Sequence, residues 1–263
     1  MKKIFLFGFL LFFFLISSRV FAGSELEDYQ FQLEKYRQNY VSFSTARNKF
    51  LKYKTLESRN EAEEATQEIL LLRTRALKTY FSFLDARLRI TPGIDKAEKE
   101  KFANLLQVKI SWLANHETVL NSLSNPTLEK LFSLSDEVEG KAFEMKRLVR
   151  EVEGLIYLGK VKELGEECRD FDKRLKEQEK ADRPTFTQWF SQVEGKFEGL
   201  SEAMQKAEEE WRLFDDRKKI DDERDLNRAF LRFKNHLIKS QGFLKEIIAF
   251  QKEINRKLET EGP

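Results

Sequence analysis

The chain has 263 residues, with 47 Lys and Arg against 45 Asp and Glu, 24 Phe, 4 Pro and a single Cys. One cysteine excludes an intramolecular disulfide, and a near-neutral balance gives no global basicity of the kind nucleic-acid binding requires. Two histidines and one cysteine are too few for a four-ligand Cys/His zinc site.

The first element is a leader. Lys2 and Lys3 precede the apolar run Ile4–Ile16, and Val20-Phe21-Ala22 offers a small-x-small cleavage site. Residues 1–22 therefore read as a signal peptide cut between Ala22 and Gly23. The alternative, an uncleaved anchor, is too short, because this run reaches only about 20 Å as a helix against a ~30 Å hydrocarbon core. Removing Lys2, Lys3 and Arg19 leaves 44 basic residues against 45 acidic. The expected mature chain is exported, periplasmic or extracellular, and carries no transmembrane segment. It should bind no nucleic acid.

Beyond residue 22 the apolar residues recur at steps of three and four, which is helical periodicity. Leu26, Tyr29, Leu33, Tyr36, Tyr40, Phe43 and Phe50 form the first stripe, interrupted at Arg47. A boundary follows at Lys54-Thr55, and Ser58 with Glu61 has capping-box spacing. The second stripe is Ala62, Ala65, Ile69, Leu72, Ala76, Tyr80 and Phe83, and Thr91-Pro92-Gly93 stops it. Asp95 to Leu123 reads as a third helix with Phe102, Leu105, Trp112, Leu113, Leu120 and Leu123 inward. Asn125-Pro126 then opens a fourth.

In that fourth segment the stripe Leu128, Leu131, Val138, Ala142, Leu148, Val152, Leu155 gives way to Val161, Leu164, Cys168, Phe171, Leu175, shifted by one residue. Gly154, Gly159 and Gly165 surround the shift and favour a bend or break near Gly159 over one long helix. Pro184 opens a further helix with Phe190, Val193, Phe197, Leu200, Met204, Ala207, Trp211 and Phe214 inward. The last stripe is Leu226, Phe230, Phe233, Leu237, Ser240, Leu244, Ile247, Gln251, Ile254 and Leu258. The two are out of register, so the chain turns between Asp215 and Asp225, with Asp221 as cap; one continuous rod is the alternative.

The expected fold is all-α: an elongated bundle of six or seven long antiparallel helices with coiled-coil-like 3,4 apolar stripes. The expected divisions are 1–22 signal peptide, 23–158 an N-terminal helical bundle and 159–263 a C-terminal helical or coiled-coil region.

The chemical inventory is thin. Neither His116 nor His236 has a glutamate three residues before it, so the di-iron Glu-x-x-His pattern is missing. Nucleophile elbows and phosphate-cradling glycine loops are also missing. The acidic groups Glu208–Glu210, Asp215-Asp216 and Asp221–Glu223 lack the alternation of a calcium loop and read as solvated faces. Tyr29, Tyr36, Tyr40 and Phe43, with Trp112, Trp189 and Trp211, read as core packing. Cys168 sits in an apolar slot, where burial would raise its pKa, and its one further use would be an intermolecular bridge in a homo-oligomer.

One feature stands out. From Arg224 to Leu258 there are nine basic residues against three acidic, and Arg228, Arg232, Lys239, Lys245, Lys252 and Arg256 fall opposite the apolar stripe. Such a helix can dock on an anionic envelope surface or an acidic protein, or pair internally with the acidic Glu202–Glu223 stretch. The functional expectation is a non-enzymatic binding protein: a scaffold, adaptor or chaperone-like component of the cell envelope, without cofactor or metal. The alternative is a small-ligand carrier or enzyme whose site is assembled between helices near the polar interruptions Arg47, Ser240 and Gln251.

Overall fold

A computed structural model describes residues 23–178, 184–215, 220 and 222–260. The leader expected over residues 1–22 and the cap expected at Asp221 lie outside the described residues. Among those described there are six α-helices, one 3-10 turn and no strand. The helices are α1 Gly23–Tyr53, α2 Leu56–Ile90, α3 Lys96–Ser122, α4 Leu128–Lys176, α5 Pro184–Arg212 and α6 Glu223–Thr260, with the 3-10 turn at Leu213–Asp215. The protein is an all-helical bundle. No described helix is long and apolar enough to cross a membrane.

The chain divides into two compact units. One takes the described residues up to Ile90 together with Lys96–Val149; the other takes Thr91–Asp95 and everything from Arg150 onward.

In the first unit, α1 ends where Lys54 adopts φ +54°, a left-handed conformation that turns the chain into α2. The cap of α2 is three residues earlier than the spacing predicts. Thr55 N–H donates to Ser58 Oγ at 3.0 Å while Ser58 N–H donates to Thr55 Oγ1 at 3.2 Å, a reciprocal box closed by serine at its third helical position. Glu61, released from capping, instead holds Lys49 of α1 at 2.6 Å.

Helix α2 then organises the unit. Its Gln67 amide donates to the carbonyls of Leu120 and Leu123 at 2.8 and 3.2 Å, satisfying groups that the end of α3 leaves unpaired. Its Glu63 carboxylate accepts the N–H of Leu128 at the start of α4. Asn125, expected to cap α4, takes φ +50° in the turn, and Thr127 caps in its place through Lys130 N–H. Leu70, Leu120, Leu131 and Leu134 close the core between these three helices. On α3 the inward residue is Leu106, fully buried, while Leu105 is 41% exposed, so the expected placement of Leu105 is wrong by one position.

The second unit holds the end of α4 with α5 and α6. The break expected near Gly159 does not occur: α4 runs unbroken for 49 residues. Its buried positions Val152, Leu155, Leu158 and Val161 step by three, which rotates the stripe without interrupting the helix. The glycines there serve close packing. A Cβ on Gly159 would lie 2.6 Å from Pro92 O and 2.5 Å from Ile94 Cγ1, so the Thr91–Asp95 turn can cross the helix only at a glycine. Gly154 makes room in the same way for Trp211, whose indole N–H donates to Glu151 O at 2.8 Å.

Helices α5 and α6 are separate, so a continuous rod is excluded. Phe214 in the 3-10 turn is buried and meets Phe230 and Phe233 with ring centroids 5.9 and 5.7 Å apart. Helix α6 is capped by Asp222, whose carboxylate accepts the Asp225 N–H at 2.8 Å; this bond holds the Asp222 carboxyl below its ordinary pKa.

Candidate functional site

The buried residues of α6 follow steps of four and three from Leu226 to Leu258, with Ala229 beside them. A helix that commits one side so regularly to the core leaves the opposite side to solvent. Arg228, Arg232, Lys239, Lys245, Lys252 and Arg256 are all exposed there.

Their surroundings separate them into two groups. Arg228 lies 3.4 Å from Asp225 on its own helix. Arg232 donates to both carboxylate oxygens of Glu210 on α5, at 2.9 and 3.0 Å. Arg256 grips Glu253 at 2.6 and 3.0 Å, and that hydrogen bonding lowers the Glu253 carboxyl and raises the guanidinium. Lys239, Lys245 and Lys252 have no carboxylate within ion-pair distance among the described residues; Lys239 instead lies 5.9 Å above the Phe243 ring. The three lysines therefore form the uncompensated part of the face. Of the ion pairs these six residues make, the one that realises the pairing expected with the acidic stretch is Arg232 with Glu210. Glu208 of that stretch bonds Lys162 of α4 at 2.7 Å.

Two openings flank this helix. One of about 300 Å³ is lined by Leu213, Ile220, Asp225, Arg228, Ala229 and Arg232. The other, about 580 Å³, is a shallow groove between α5 and α6 lined by Gln192, Gly195, Lys196, Phe243, Glu246 and Phe250. Neither is lined by Arg47, Ser240 or Gln251. Arg47 is exposed; Ser240 is buried and donates to His236 O; Gln251 is buried and donates to Cys168 O at 2.7 Å.

Cys168 is 2% exposed, and burial, with a smaller contribution from Glu167, pushes its thiol up to about 11. Such a thiol is a poor nucleophile at neutral pH, and a bridge to a second chain would first require this part of the core to open. His116 is equally committed to structure. Its Nε2 donates to Leu134 O at 3.1 Å, its Nδ1 lies 3.1 Å from Thr74 Oγ1, and Trp112 stacks on the ring.

The aromatic stripe of α1 departs from expectation. Tyr29, Tyr36 and Phe43 are only half-buried, Tyr40 is exposed, and no residue of α1 is buried. Sequence spacing identified the stripe but not how many helices would cover it.

The chain matches no known protein family, no curated protein and no solved structure.

Proposed function

We propose that this protein is an exported, non-enzymatic helical bundle that acts by binding, as a scaffold, adaptor or chaperone-like component of the cell envelope. The reading includes cleavage after Ala22, a periplasmic or extracellular location and an elongated arrangement of antiparallel, coiled-coil-like helices. One observation carries it: Lys239, Lys245 and Lys252 stand exposed and without carboxylate partners on the outer side of a helix whose inner side is wholly committed to packing. Exposed cations carried along one helix are suited to an anionic headgroup layer or an acidic protein, and their attraction falls with salt over a screening length of about 8–10 Å.

The test is sedimentation of the purified protein with its own envelope membranes across a salt series. Binding that fades with salt and is lost in a Lys239→Glu, Lys245→Glu, Lys252→Glu variant supports the basic face. Binding that survives both conditions places the contact on another surface, and no retention at all removes the envelope-binding reading. Mass measurement of the exported protein checks the leader, with a start at Gly23 expected.

A further inference from the structure

The geometry points to the surface of an anionic phospholipid bilayer as the partner of α6, with Leu231 and Ile238 entering its acyl boundary; this rests on the binding role proposed above. Leu231, Ile238, Lys245 and Lys252 are spaced by seven. At about 100° per residue each is offset from the last by only about 20°, so the four form one line over about 32 Å of helix. Each also stands two residues before a position with no exposure at all, namely Phe233, Ser240, Ile247 and Ile254, which sets the line on the opposite side of the helix. Leu231 and Ile238 are 59% and 61% exposed, and both lysines are exposed. Lys234 comes three residues after Leu231 and four before Ile238, so it borders both; it is exposed and has no carboxylate within ion-pair distance among the described residues. On the other border of the line are Gly242, where an added Cβ would meet nothing within 4 Å, and the exposed Ala249. The aliphatic pair therefore stands clear of bulky neighbours on that border.

The charge of this segment selects the occupant. Between Leu226 and Lys252 there are six basic residues and one acidic residue, Glu246, which Lys196 of α5 holds at 2.6 Å. The outer line thus offers aliphatic side chains and lysines, with no carboxylate and no aromatic ring. The cores of protein interfaces are enriched in aromatic residues and arginine and depleted of lysine. A headgroup layer makes the reverse demand. A lysine's flexible stem lies along the acyl boundary while its ammonium finds phosphates without a fixed geometry, and leucine and isoleucine gain from that boundary with no polar atom left to satisfy. Because the other side of α6 is packed in the core, the helix docks as a folded element lying along the surface.

The test sediments the exported protein with vesicles of phosphatidylglycerol in phosphatidylcholine and with vesicles of phosphatidylcholine alone. Binding to the first and not the second is expected. Leu231→Gln with Ile238→Gln leaves the charge unchanged and should weaken that binding by at least about tenfold. Lys234→Gln with Lys245→Gln and Lys252→Gln should weaken it by about a hundredfold. All five positions are exposed, so circular dichroism and thermal melts should match the parent protein. Depth is read from an environment-sensitive fluorophore on Ile238→Cys, since Cys168 is buried and stays unlabelled at neutral pH. Its emission should shift to the blue on the anionic vesicles and be quenched by a quencher carried on the lipid chains. Equal binding to both vesicle types overturns the proposal. Binding that needs the lysines but ignores Leu231 and Ile238, with no blue shift, also overturns it while leaving the basic-face reading in place. Retention by envelope membranes through a protein, with no binding to either vesicle, does the same and identifies an acidic partner. No retention by vesicles or envelope membranes removes both readings.

Discussion

Helices α1 and α6 carry the same kind of pattern and meet opposite fates. Both have apolar residues in steps of three and four over most of their length. In α6 every stripe residue from Leu226 to Leu258 is buried, including Ser240 and Gln251; in α1 none is. What differs is how far each stripe is covered. Helix α6 sits among α4 and α5: Phe214 of the 3-10 turn packs on Phe233, the bare backbone of Gly154 on α4 leaves room for that ring, and Cys168 of α4 accepts the Gln251 amide. Helix α1 packs on α2, through Tyr29 against Tyr80 and Lys49 with Glu61, and buries none of its stripe. An apolar stripe states which side of a helix seeks cover, and the number of helices that arrive decides whether it is obtained.

The sharpest way to break this comparison is to truncate a ring on each helix. Phe233→Ala should cost about 3–5 kcal/mol in denaturant unfolding, because the ring is fully buried among Phe214 and Phe230. Tyr40→Ala, at an exposed position of α1, should change stability by no more than about 0.5 kcal/mol. Equal losses would mean that α1 is far better covered than its exposure implies.

Glycines within α4 give a second contrast. Gly159→Ala places a methyl against Pro92 and Ile94 and should destabilise by about 1–3 kcal/mol, outweighing the helix-propensity gain. Gly140→Ala on the same helix meets nothing within 4 Å and should stabilise by about 0.5–1 kcal/mol. The opposite signs, read from paired thermal melts, would separate packing glycines from incidental ones.

The pH dependence is smaller and again differs between the units. In the first, burial alone would raise the Glu117 carboxyl, but hydrogen bonds from Lys78 and Arg75 outweigh it and hold the carboxyl below 4.5. With the folded value depressed, this carboxylate stabilises the fold above about pH 4.5, and the contribution disappears as pH falls through the lower folded value. Glu117→Gln should therefore narrow the gap from the parent protein as acid is added. In the second unit, Cys168 is raised to about 11 from 9.0, so the unfolded chain ionises first. Stability present below pH 9.0 should decline as pH rises toward 11, and a Cys168→Ser variant should lack that component. The native thiol should also alkylate far more slowly at neutral pH than it does in denaturant.

Much of this fold is legible in the sequence because helices announce themselves locally. The stripes of α5 and α6 run from core residue to core residue, and the helix boundaries at Lys54, before Pro92 and at Pro184 fall where the sequence places them. What escaped depends on chain segments distant in sequence. Gly159 looks like a helix breaker until the Thr91–Asp95 turn is laid across it. Ser58 looks like a cap for Glu61 until Lys49 claims that glutamate. The basic face is readable as six positions opposite a stripe. Its division into paired arginines and unpaired lysines is not, because Glu210 reaches Arg232 only through the approach of α5 to α6. The unfinished cover of α1 has one faint sequence signal, the exposed Arg47 that interrupts its stripe.

The Gln251 amide, donating to the Cys168 carbonyl, has a consequence for how α6 finds its place. A seven-residue repeat is ambiguous: sliding α6 by one heptad against α4 would still set apolar residues against apolar residues. Such a slide would put Leu244 or Leu258 beside the Cys168 carbonyl and strand the glutamine amide in a greasy layer, where an unmet polar group costs more than a methyl misfit. One glutamine in the repeat thus serves as an alignment mark: in the observed docking its Nε2 donates to the Cys168 carbonyl, while its Oε1 stays buried without a partner.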